Sequence, residues 1–451
     1  MVAVEKKAQR YDAYKDSGVE WLGEIPEHWE IKKLKLSIKK IIDNRGRTPI
    51  FGDIGTPMLE IRNITNGLKN PTEDFQKYVL PEIVVKYERD KVHIDDVLIS
   101  TVGATSGKVV IINKKPKYFI AQNVIGIRFT KMNNPLFVYF FLRSEYFISS
   151  LQLINKGNTI DNLKVSVFVN NICFFPPLPE QTKIAQFLDD KTTKIDDAIA
   201  IKQQQINLLK ERKQILIHKA VTRGLDDSVT LKDSGVEWIG EIPEHWEVKR
   251  FRYVFNLGKG LTITKDNLRE EGVFCVNYGE IHSKYGFELD TKIHKLKCVD
   301  KDYLLNNPSA LINYGDFVFA DTSEDIEGSG NFTYLESKDE IFAGYHTVVA
   351  KPKLEIESRF FAYIFESESF RNQIRTKVKG VKVFSITQSI LKEPTVWYPS
   401  KNEQKEIVDY LDSSTKKIET AISLKQQEIA KLKEYKSSLI NGVVTGKVRV
   451  C

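Results

Sequence analysis

The chain has 451 residues, which is too long for one ordinary hydrophobic core and predicts two or three domains. Hydrophobic residues make up 41% and charged residues 28% of the chain, a balance that is typical of globular proteins and excludes a disordered chain. The 67 Lys and Arg residues outnumber the 60 Asp and Glu residues, and the net charge of +7 permits a nucleic-acid partner without requiring one. No apolar run approaches the roughly 18 residues of a membrane-spanning helix, so no membrane partner is expected.

The cysteines and the N-terminal segment bear on the compartment in which the protein works. The four cysteines have no CxxC spacing, which excludes a disulfide scaffold and a zinc cluster and favours a reducing environment. They are Cys173, Cys275, Cys298 and Cys451. The N-terminal segment has no apolar core of the kind that a secretory signal needs. We therefore expect a cytoplasmic protein.

One segment of the sequence occurs twice. It reads KDSGVEWLGEIPEHWEIK at residues 15–32 and KDSGVEWIGEIPEHWEVK at residues 232–249. An internal repeat of this kind predicts that two parts of the chain share one architecture. The two copies differ conservatively at two positions, Leu22/Ile239 and Ile31/Val248.

A second and weaker repeat follows each copy of the first. It begins with EQTKIAQFLDD at Glu180 and with EQKEIVDYLDS at Glu403. The regions between the repeats show no comparable identity, so the frame is duplicated and its inserts have diverged. We interpret this as one architecture that makes two different contacts. The predicted segments are 1–32, 33–178, 179–224, 225–249, 250–399 and 400–451.

The weaker repeat predicts two long helices. Apolar residues recur at steps of three, four and seven over Glu180–Thr222 and over Glu403–Ile440, which is typical of an amphipathic helix with a coiled-coil stripe. Pro179 precedes the first helix and Gly224 follows it, as start and stop signals should. We predict that the two helices pack antiparallel, although each could instead pack only on its own domain. The predicted interface residues are Leu188, Ile195, Ile199, Ile206, Leu209, Leu216, Leu411, Ile418, Ile422, Ile429, Leu432 and Leu439.

The two variable regions predict a mixed α/β fold with many short strands. DDVLISTVG before KVVIIN, and GDFVFAD before NFTYLE, alternate apolar runs with Gly-rich turns. The segments YFIAQNVIGIRF and EIFAGYHTVVAKP take matching later places in the two regions. One helix follows in each region.

Catalytic and nucleotide-binding motifs are not supported by the sequence. GATSGKV at residues 103–109 resembles a phosphate loop but is one residue short, has Val109 in place of the magnesium-binding Ser or Thr, and leads into a strand. Glu30-Ile31-Lys32 and Glu247-Val248-Lys249 resemble the ExK end of a nuclease metal site, but no Asp is suitably spaced. His28 and His245 stand beside a Trp and are interpreted as packed or hydrogen-bonded side chains. We expect no catalytic residue, metal or cofactor.

Charge and loop chemistry favour an anionic polymer as the partner. Residues 33–175 hold 21 Lys and Arg against 12 Asp and Glu, a net charge of +9, whereas residues 250–399 hold 20 against 21, a net charge of −1. Arg45 and Arg47 stand on a predicted loop, which suits phosphate contact or bidentate reading of guanine. Taken singly, each basic residue is also explained as a solvated surface charge. The candidate DNA-binding residues are Arg45, Arg47, Thr48, Arg62, Asn63, Thr101, Thr105, Ser106, Lys108, Gln122, Asn123, Lys156, Asn158, Lys259, Thr262, Lys265, Tyr278, His282, Lys284, Tyr285, Ser323, Lys379 and Lys382.

Nearly the whole chain resembles the specificity subunit of type I restriction–modification systems. The resemblance rests on the duplicated SGVEW and GEIPEHWE segments, on PPLPEQTKIAQFLD before the first long helix, and on its weaker partner YPSKNEQKEIVDYLD. The stretches LISTVGATSGKVVI, LGKGLTITKDNL, VNYGEIHSKYG and GDFVFADTSE resemble the target recognition domains of this family. The second copy departs from the usual Pro-Pro-x-x-Glu-Gln pattern, because Ser400 and Asn402 follow a single Pro399.

The resemblance implies a fold and a set of partners. Two target recognition domains would each read one half of a split sequence in double-stranded DNA. Two long helices would hold these domains apart and bind the modification (methyltransferase) subunits. Methyl donor, ATP and magnesium would be handled by those subunits and by the restriction (endonuclease and translocase) subunits. Two alternatives remain open, a self-contained nuclease or methyltransferase with an unrecognised active site and a structural scaffold with no DNA role.

Overall fold

The computed structural model gives two compact units, Met1–Gln203 with Gln426–Cys451 as unit 1 and Gln204–Lys425 as unit 2. In the part of the chain that the structure describes, no helix is long and apolar enough to cross a membrane. The described residues are 9–20, 22–45, 49–64, 69–87, 91–103, 106–154, 163–380 and 382–450.

The first part of the chain alternates short strands with short helices and then forms one long helix. Its elements are β1 (Tyr14–Asp16), β2 (Glu24–Pro26), β3 (Glu30–Lys33), a 3-10 turn (Leu34–Ser37), β4 (Ile38–Asp43), β5 (Phe51–Gly52), β6 (Thr56–Leu59), a 3-10 turn (Ile61–Asn63), β7 (Tyr78–Val79), α1 (Pro81–Tyr87), β8 (Val97–Ser100), β9 (Val109–Ile111), β10 (Phe119–Ile120), β11 (Val124–Phe129), α2 (Pro135–Leu142), α3 (Glu145–Ile154), α4 (Val165–Val169), β12 (Ile172–Phe175) and α5 (Leu178–Arg223).

The second part repeats this plan with a different insert. Its elements are β13 (Leu231–Asp233), β14 (Glu241–Pro243), β15 (Glu247–Arg250), α6 (Phe251–Val254), β16 (Phe255–Lys259), a 3-10 turn (Lys265–Asn267), β17 (Val273–Val276), α7 (Tyr278–Ser283), β18 (Phe287–Leu289), β19 (Lys297–Val299), α8 (Tyr303–Asn306), a 3-10 turn (Pro308–Ala310), β20 (Leu311–Ile312), β21 (Phe317–Ala320), β22 (Thr322–Ser323), β23 (Phe332–Leu335), β24 (Ile341–Ala343), β25 (Thr347–Pro352), α9 (Ser358–Glu366), α10 (Glu368–Arg375), β26 (Phe384–Ser385), α11 (Gln388–Lys392), β27 (Thr395–Tyr398) and α12 (Lys401–Val444).

Unit 1 contains two four-stranded sheets. One is antiparallel with the order β4-β11-β8-β9, and the other has the order β10-β6-β7-β5 with β10 parallel to β6. Strand β8 is buried along its whole length, with Val97 and Ile99 in one core cluster and Leu98 in another. Successive strand residues point to opposite faces, so both faces of this sheet are covered. The continuous apolar run that marked the strand in the sequence follows from this double burial.

Unit 2 contains a five-stranded sheet of order β16-β25-β21-β23-β18 and a four-stranded sheet of order β19-β17-β24-β20. The central strand β21 alternates in the same way as β8, with Phe317 and Phe319 in one core cluster and Val318 and Ala320 in another. Strand β17 runs parallel to β24, as β6 does to β10 in unit 1. The two divergent inserts therefore keep one sheet plan.

The two long helices are continuous, with 46 residues in α5 and 44 in α12. Each begins two residues before its predicted start, and Pro179 lies inside the first turn of α5, where its missing N–H is not needed. In unit 1, Lys436 Nζ lies 2.6 Å from Asp196, and Lys202 Nζ lies 2.5 Å from Glu428. Residue numbers thus fall along α12 as they rise along α5, so the helices pack antiparallel.

The same direction holds inside unit 2. Lys213 Nζ lies 2.6 Å from Glu419, while Gly224, just past the end of α5, lies next to Glu403 in the first turn of α12. The predicted fold class, mixed α/β with an internal repeat and two long antiparallel helices, is confirmed. The twelve apolar residues predicted for the helix pair are all buried or half-buried. Leu188 and Leu411 also join the core clusters of their own units, so the start of each helix packs on its globular insert as well.

Hydrogen bonds explain why the frame occurs twice in the sequence. In unit 1, Trp29 Nε1 donates to Glu180 Oε1 at 3.2 Å, and His28 Nε2 lies 2.8 Å from Glu180 Oε2. Glu180, the first residue of the Glu-Gln pair, thus fastens the start of α5 to the repeated segment. The hydrogen bond of His28 agrees with the interpretation of this histidine as a packed or hydrogen-bonded side chain. In unit 2 the corresponding contacts, at 2.9 and 3.0 Å, join His245 and Trp246 to Glu403.

The second residue of the Glu-Gln pair fastens the helix start to the insert. Gln181 Nε2 donates to Pro176 O at 2.9 Å, and its Oε1 accepts from the backbone N–H of Asn134 at 2.8 Å, just before α2. Both groups of the buried amide are therefore satisfied. The same two bonds recur in unit 2 between Gln404, Pro399 and Glu357, each at 2.9 Å.

Each unit also contains the end of a helix that began in the other repeat. The last turns of α12 bring Val443 and Val444 into the unit 1 core cluster with Trp29. The last turns of α5 bring Val221 into the unit 2 core cluster with Trp246. The segments 179–224 and 400–451 predicted from the sequence hold all of α12 and all of α5 except Leu178, whereas the compact units divide both helices.

Candidate nucleic-acid interface

Several loops of unit 1 meet at one edge of a sheet. Strand β4 ends at Asp43, which pairs with Ile125 near the start of β11, and β8 ends at Ser100, which pairs with Val124. The loops after β4, after β8 and before β11 therefore lie together. We call these loops, with the segment after β6, loop edge 1.

Unit 2 has the same arrangement. Strand β16 ends at Lys259, which pairs with Val348 near the start of β25, and β21 ends at Ala320, which pairs with Thr347. The loops after β16, after β21 and before β25, with the segment after β17, form loop edge 2.

Matching backbone hydrogen bonds brace the two edges. Thr101 N donates to Asn123 O at 3.0 Å in unit 1, and Asp321 N donates to His346 O at 3.0 Å in unit 2. Thr101 and Asp321 also accept a backbone hydrogen bond. Leu163 N donates to Thr101 O, and Ile386 N donates to Asp321 O, each at 2.7 Å. Thr101 thus corresponds to Asp321, and Asn123 corresponds to His346.

A fourth segment joins each edge through the parallel strand pair. Ala121 N donates to Leu59 O at 2.9 Å, and Gly344 N donates to Val276 O at 2.8 Å. This places the turn with Arg62 at loop edge 1 and helix α7 at loop edge 2. Most of the loops chosen from the sequence as candidates therefore come together, once in each unit.

The candidate residues of loop edge 1 differ in how far they are exposed. Arg45 and Gln122 are exposed, whereas Lys108, Ser106 and Asn123 are partly exposed. The Arg45 guanidinium forms hydrogen bonds to Asp43, with Nε 2.9 Å from both carboxylate oxygens, and this contact raises the pKa of Arg45. The predicted candidates Arg47, Thr48, Thr105, Lys156 and Asn158 lie outside the described residues.

Two other candidates in unit 1 have structural contacts. Asn63 is 1% exposed, and its Nδ2 donates to the backbone carbonyls of Thr72 and Asp74 at 3.1 and 3.0 Å. Thr101 is 2% exposed, and its Oγ1 donates to Asn123 O at 3.1 Å. Both side chains hold the loops in place from inside. Arg62 is partly exposed and lies 3.6 Å from Glu60.

Loop edge 2 forms an open groove. One part, of about 710 Å³, is lined by Lys259 at the end of β16, by Thr262 in the loop that follows, and by His346 in the loop before β25. A second part, of about 520 Å³, is lined by Tyr278 and His282 of α7. The parts share Thr322, and the rings of Tyr278 and His346 are 5.2 Å apart. We call the two parts together the edge-2 groove.

Of the remaining candidates of unit 2, His282 and Ser323 line this groove. His282 is held between Thr322 O and Asn331 Nδ2, at 2.8 Å from each. Ser323 lines the groove but is 3% exposed, and Tyr285 is buried with its hydroxyl donating to a backbone carbonyl. Four lysines are exposed and do not line it, namely Lys265, Lys284, Lys379 and Lys382.

Sequence reasoning missed several residues that line the edge-2 groove. Asp321, Tyr345 and His346 take part in the wall next to Lys259 and Thr262. The pKa of the Tyr345 hydroxyl is raised, mainly by burial. The side chain therefore acts as a neutral hydrogen-bonding group. An alignment of YFIAQNVIGIRF with EIFAGYHTVVAKP could have found Tyr345 and His346. Placed by the matching strand contacts, it aligns Gln122 with Tyr345 and Asn123 with His346.

Acidic residues distinguish the second edge from the first. Glu324, Asp325 and Glu327 line the edge-2 groove, in addition to Asp321. The groove therefore offers hydrogen-bond acceptors as well as cations. Over the described residues, no group of three or more His, Cys, Asp or Glu side chains is placed to hold a metal ion.

The chain is similar to proteins of one kind along most of its length. It is 25% identical over 434 residues to the type I restriction enzyme MjaVIII specificity subunit of Methanocaldococcus jannaschii, with 94% of each chain covered. It is 24% identical over 429 residues to the type I restriction enzyme EcoKI specificity subunit of Escherichia coli strain K12, covering 89% of this chain and 86% of that one.

Solved structures share the fold. A chain from a structural study of complex assembly and conformational transition in a type I R-M system aligns with a TM-score of 0.71 at 13% identity, covering 94% of this chain and 99% of that chain. The HsdS subunit of Thermoanaerobacter tengcongensis aligns with a TM-score of 0.51 at 13% identity, covering 94% and 98%.

The family model described as the type I restriction modification DNA specificity domain matches the chain twice, at residues 26–211 and 243–434. The two matches span the two variable inserts, each with its own loop edge, and together they cover well over half of the sequence. The chain therefore belongs to the family of type I restriction modification DNA specificity domain proteins.

Proposed function

We propose that this chain is the specificity subunit of a type I restriction–modification system. It binds double-stranded DNA and carries no catalytic groups of its own. Loop edge 1 reads one half of a bipartite DNA sequence, and loop edge 2 reads the other half. Methyl transfer and cleavage belong to partner subunits, which this chain directs to the sequence.

One observation carries the proposal, namely the double match to a DNA specificity domain, in which each copy has a loop edge of the same build and different chemistry. Thr101 and Asn123 in unit 1 take the places of Asp321 and His346 in unit 2. A shared frame with different side chains is what two different half-sites require, because base edges are told apart by the donors and acceptors that face them.

The exposed candidate side chains at the two edges divide into two roles. Cations such as Arg45, Lys108 and Lys259 suit phosphate oxygens, which fix the position of the protein on the duplex. Amide and aromatic groups such as Gln122 and Tyr278 suit base edges, which carry the sequence information. The candidates that lie outside the described residues remain predictions from the sequence.

The relatives are named as specificity subunits of type I restriction enzymes, and this supports an assembly with modification and restriction subunits here as well. We place that assembly in the cytoplasm, where its DNA target is found. The buried, unpaired thiols of Cys173, Cys275 and Cys298 are compatible with this reducing compartment.

The experiment is methylome sequencing of a host that expresses the chain with its modification subunits. The expected result is one methylated bipartite sequence with a spacer of fixed length. A variant with Gln122→Ala should change the base preference in one half-site only, which assigns that half-site to unit 1. Methylation without any bipartite sequence, or binding of the methyl donor by this chain alone, would contradict the proposal.

A further inference from the structure

His346 occupies an unusual position at loop edge 2. Its backbone has a φ of +54°, a left-handed conformation in which a glycine is the ordinary choice and a side chain adds strain. Two other non-glycine residues of the described chain have positive φ, Asp95 in a turn and Phe287. Phe287 is partly buried and packs its ring against a core cluster, and this packing offsets the backbone strain.

Burial does not account for His346, because its side chain is 58% exposed. The imidazole nevertheless has a fixed surrounding. Its Nδ1 lies 3.2 Å from Asp321 Oδ1, and its ring stands at 71° to the ring of Tyr278, with centroids 5.2 Å apart. The centroids of the Tyr345 and His346 rings are 6.0 Å apart. The ring is thus oriented by its neighbours, while its Nε2 forms no hydrogen bond with any residue that the structure describes.

The loop that carries His346 is also firmly held. Tyr345 N donates to Asn277 Oδ1 at 3.2 Å, and Thr347 Oγ1 donates to Gly344 O at 2.7 Å. A Cβ on Gly344 would come within 2.0 Å of Asn277 Oδ1, so the close approach that braces the loop needs a glycine. A side chain on such a loop is presented without a further ordering cost, which favours its use in recognition.

We propose that His346 reads a base in the half-site of unit 2, with Asp321 as the residue that positions it. Asp321 accepts a hydrogen bond from Nδ1–H and so leaves Nε2 of the neutral imidazole as an acceptor. That acceptor suits the exocyclic amino group of adenine or cytosine in the major groove. Asn123 in unit 1 stands at the corresponding position and presents an amide in place of the imidazole. This inference rests on the proposed function and gives it a specificity-determining residue.

The test uses the complete methyltransferase complex and its methylome. Asparagine places an amide nitrogen where Nδ1 stands and nothing where Nε2 stands, so His346→Asn keeps the contact with Asp321 and loses the base contact. We expect His346→Asn to relax one base position in the unit 2 half-site and to lower methylation of the wild-type sequence by about tenfold or more. The half-site of unit 1 should stay unchanged.

A matched control is available in unit 1. His93 is exposed and lies just before β8, at the opposite end of that strand from loop edge 1. His93→Asn makes the same chemical change and should leave the methylome as it is. An unchanged methylome in His346→Asn as well would overturn the inference while leaving the proposed function intact. Absence of a bipartite sequence in the wild-type methylome would instead contradict the proposed function.

A second variant distinguishes a role of His346 in base recognition from a role in folding. Because φ is positive, His346→Gly removes the imidazole and relieves the backbone, so the melting temperature of the complex should stay equal or rise. The same base position should nevertheless relax. A fall in melting temperature together with the loss of methylation would show that the histidine serves the fold and would overturn the inference.

Discussion

Glu403 joins the start of α12 to the repeated segment of unit 2 through one carboxylate. It accepts a hydrogen bond from the indole of Trp246, which is 1% exposed, and it also contacts His245. Loss of this acceptor leaves a buried N–H without a partner, so Glu403→Ala should lower the free energy of unfolding by about 1–3 kcal/mol. Urea unfolding of the full chain measures this change.

Two variants sharpen the test of the Glu403 contact. Glu403→Gln keeps an acceptor oxygen for Trp246 and should lose less stability than Glu403→Ala. Glu406→Ala removes an exposed carboxylate from the same helix and should have little effect. The role of Glu403 would be refuted if its alanine variant unfolded like the Glu406 variant.

The buried thiols give a second prediction for single residues. Cys173 and Cys275 are 0% exposed and Cys298 is 3% exposed, and burial raises the pKa of each thiol. Because the thiolate is the reactive form, all three should react slowly with a thiol reagent in the folded chain and fully in denaturant. The measurement uses a Cys451→Ser background, so that only these three thiols are counted. Rapid native reaction would contradict it.

Side-chain roles could be predicted from the sequence only where the repeat revealed them. The sequence indicated a packed or hydrogen-bonded role for His28 and His245, and both contact the first Glu of the Glu-Gln pair. The sequence suggested that Asn63 is a polar loop group, but the side chain is buried. Its amide donates hydrogen bonds to backbone carbonyls nine and eleven residues further along the chain. His346 escaped notice because its exposure and its φ are set by strand pairing, which composition does not reveal.

The end of α12 packs closely on the repeated segment of unit 1. Gly446 follows the helix with a φ of +75°, and a Cβ there would lie 2.2 Å from Pro26 Cδ. Gly446→Ala should therefore lower stability through both strain and a clash. Gly224, with a φ of +73° at the end of α5, has its nearest neighbours at 3.4 Å and would add strain alone.

Thermal unfolding of the two glycine variants compares the helix ends directly. Gly224→Ala should lower stability by about 1 kcal/mol, and Gly446→Ala should lower it further. A larger loss for Gly224→Ala than for Gly446→Ala would show that the end of α12 is more loosely packed than its contacts indicate.

At the scale of elements, the sequence predicted the two long helices better than the strands. The single helix expected late in each insert was wrong, because the structure has two there, α2 with α3 and α9 with α10. The apolar steps over Glu180–Thr222 and Glu403–Ile440 gave both long helices to within a few residues of their observed ends. The strands are two to six residues long, and their order depends on pairing between distant segments, such as β6 with β10. Local patterns do not carry such pairings, so the loop edges emerged only from the structure.

Charge differs between the two inserts of the whole molecule. Residues 33–175 carry a net charge of +9 and residues 250–399 a net charge of −1, and the edge-2 groove holds four acidic side chains. Each phosphate that a cation neutralises releases counterions, so more cations give a steeper salt dependence. We compare the full chain on two DNAs, one that contains only the unit 1 half-site and one that contains only the unit 2 half-site. The affinity for the first DNA should fall more steeply as the salt concentration rises.

The salt titration needs DNA with neither half-site as its control, because all DNA attracts a basic chain. After correction for that slope, the unit 1 half-site should show the larger fall in affinity per decade of salt. Equal slopes would mean that the charge excess of residues 33–175 lies away from the DNA.

The division of the chain also has a consequence for its synthesis. Unit 2 is a single stretch, Gln204–Lys425, whereas unit 1 needs the residues from Gln426 onward. The half that leaves the ribosome first is thus completed last, and until then Trp29 lacks the cover that Val443 and Val444 provide in its core cluster. A nascent chain released early would present this apolar surface to chaperones and proteases. Unit 1 can therefore complete its core cluster only after the last turns of α12 have been synthesised.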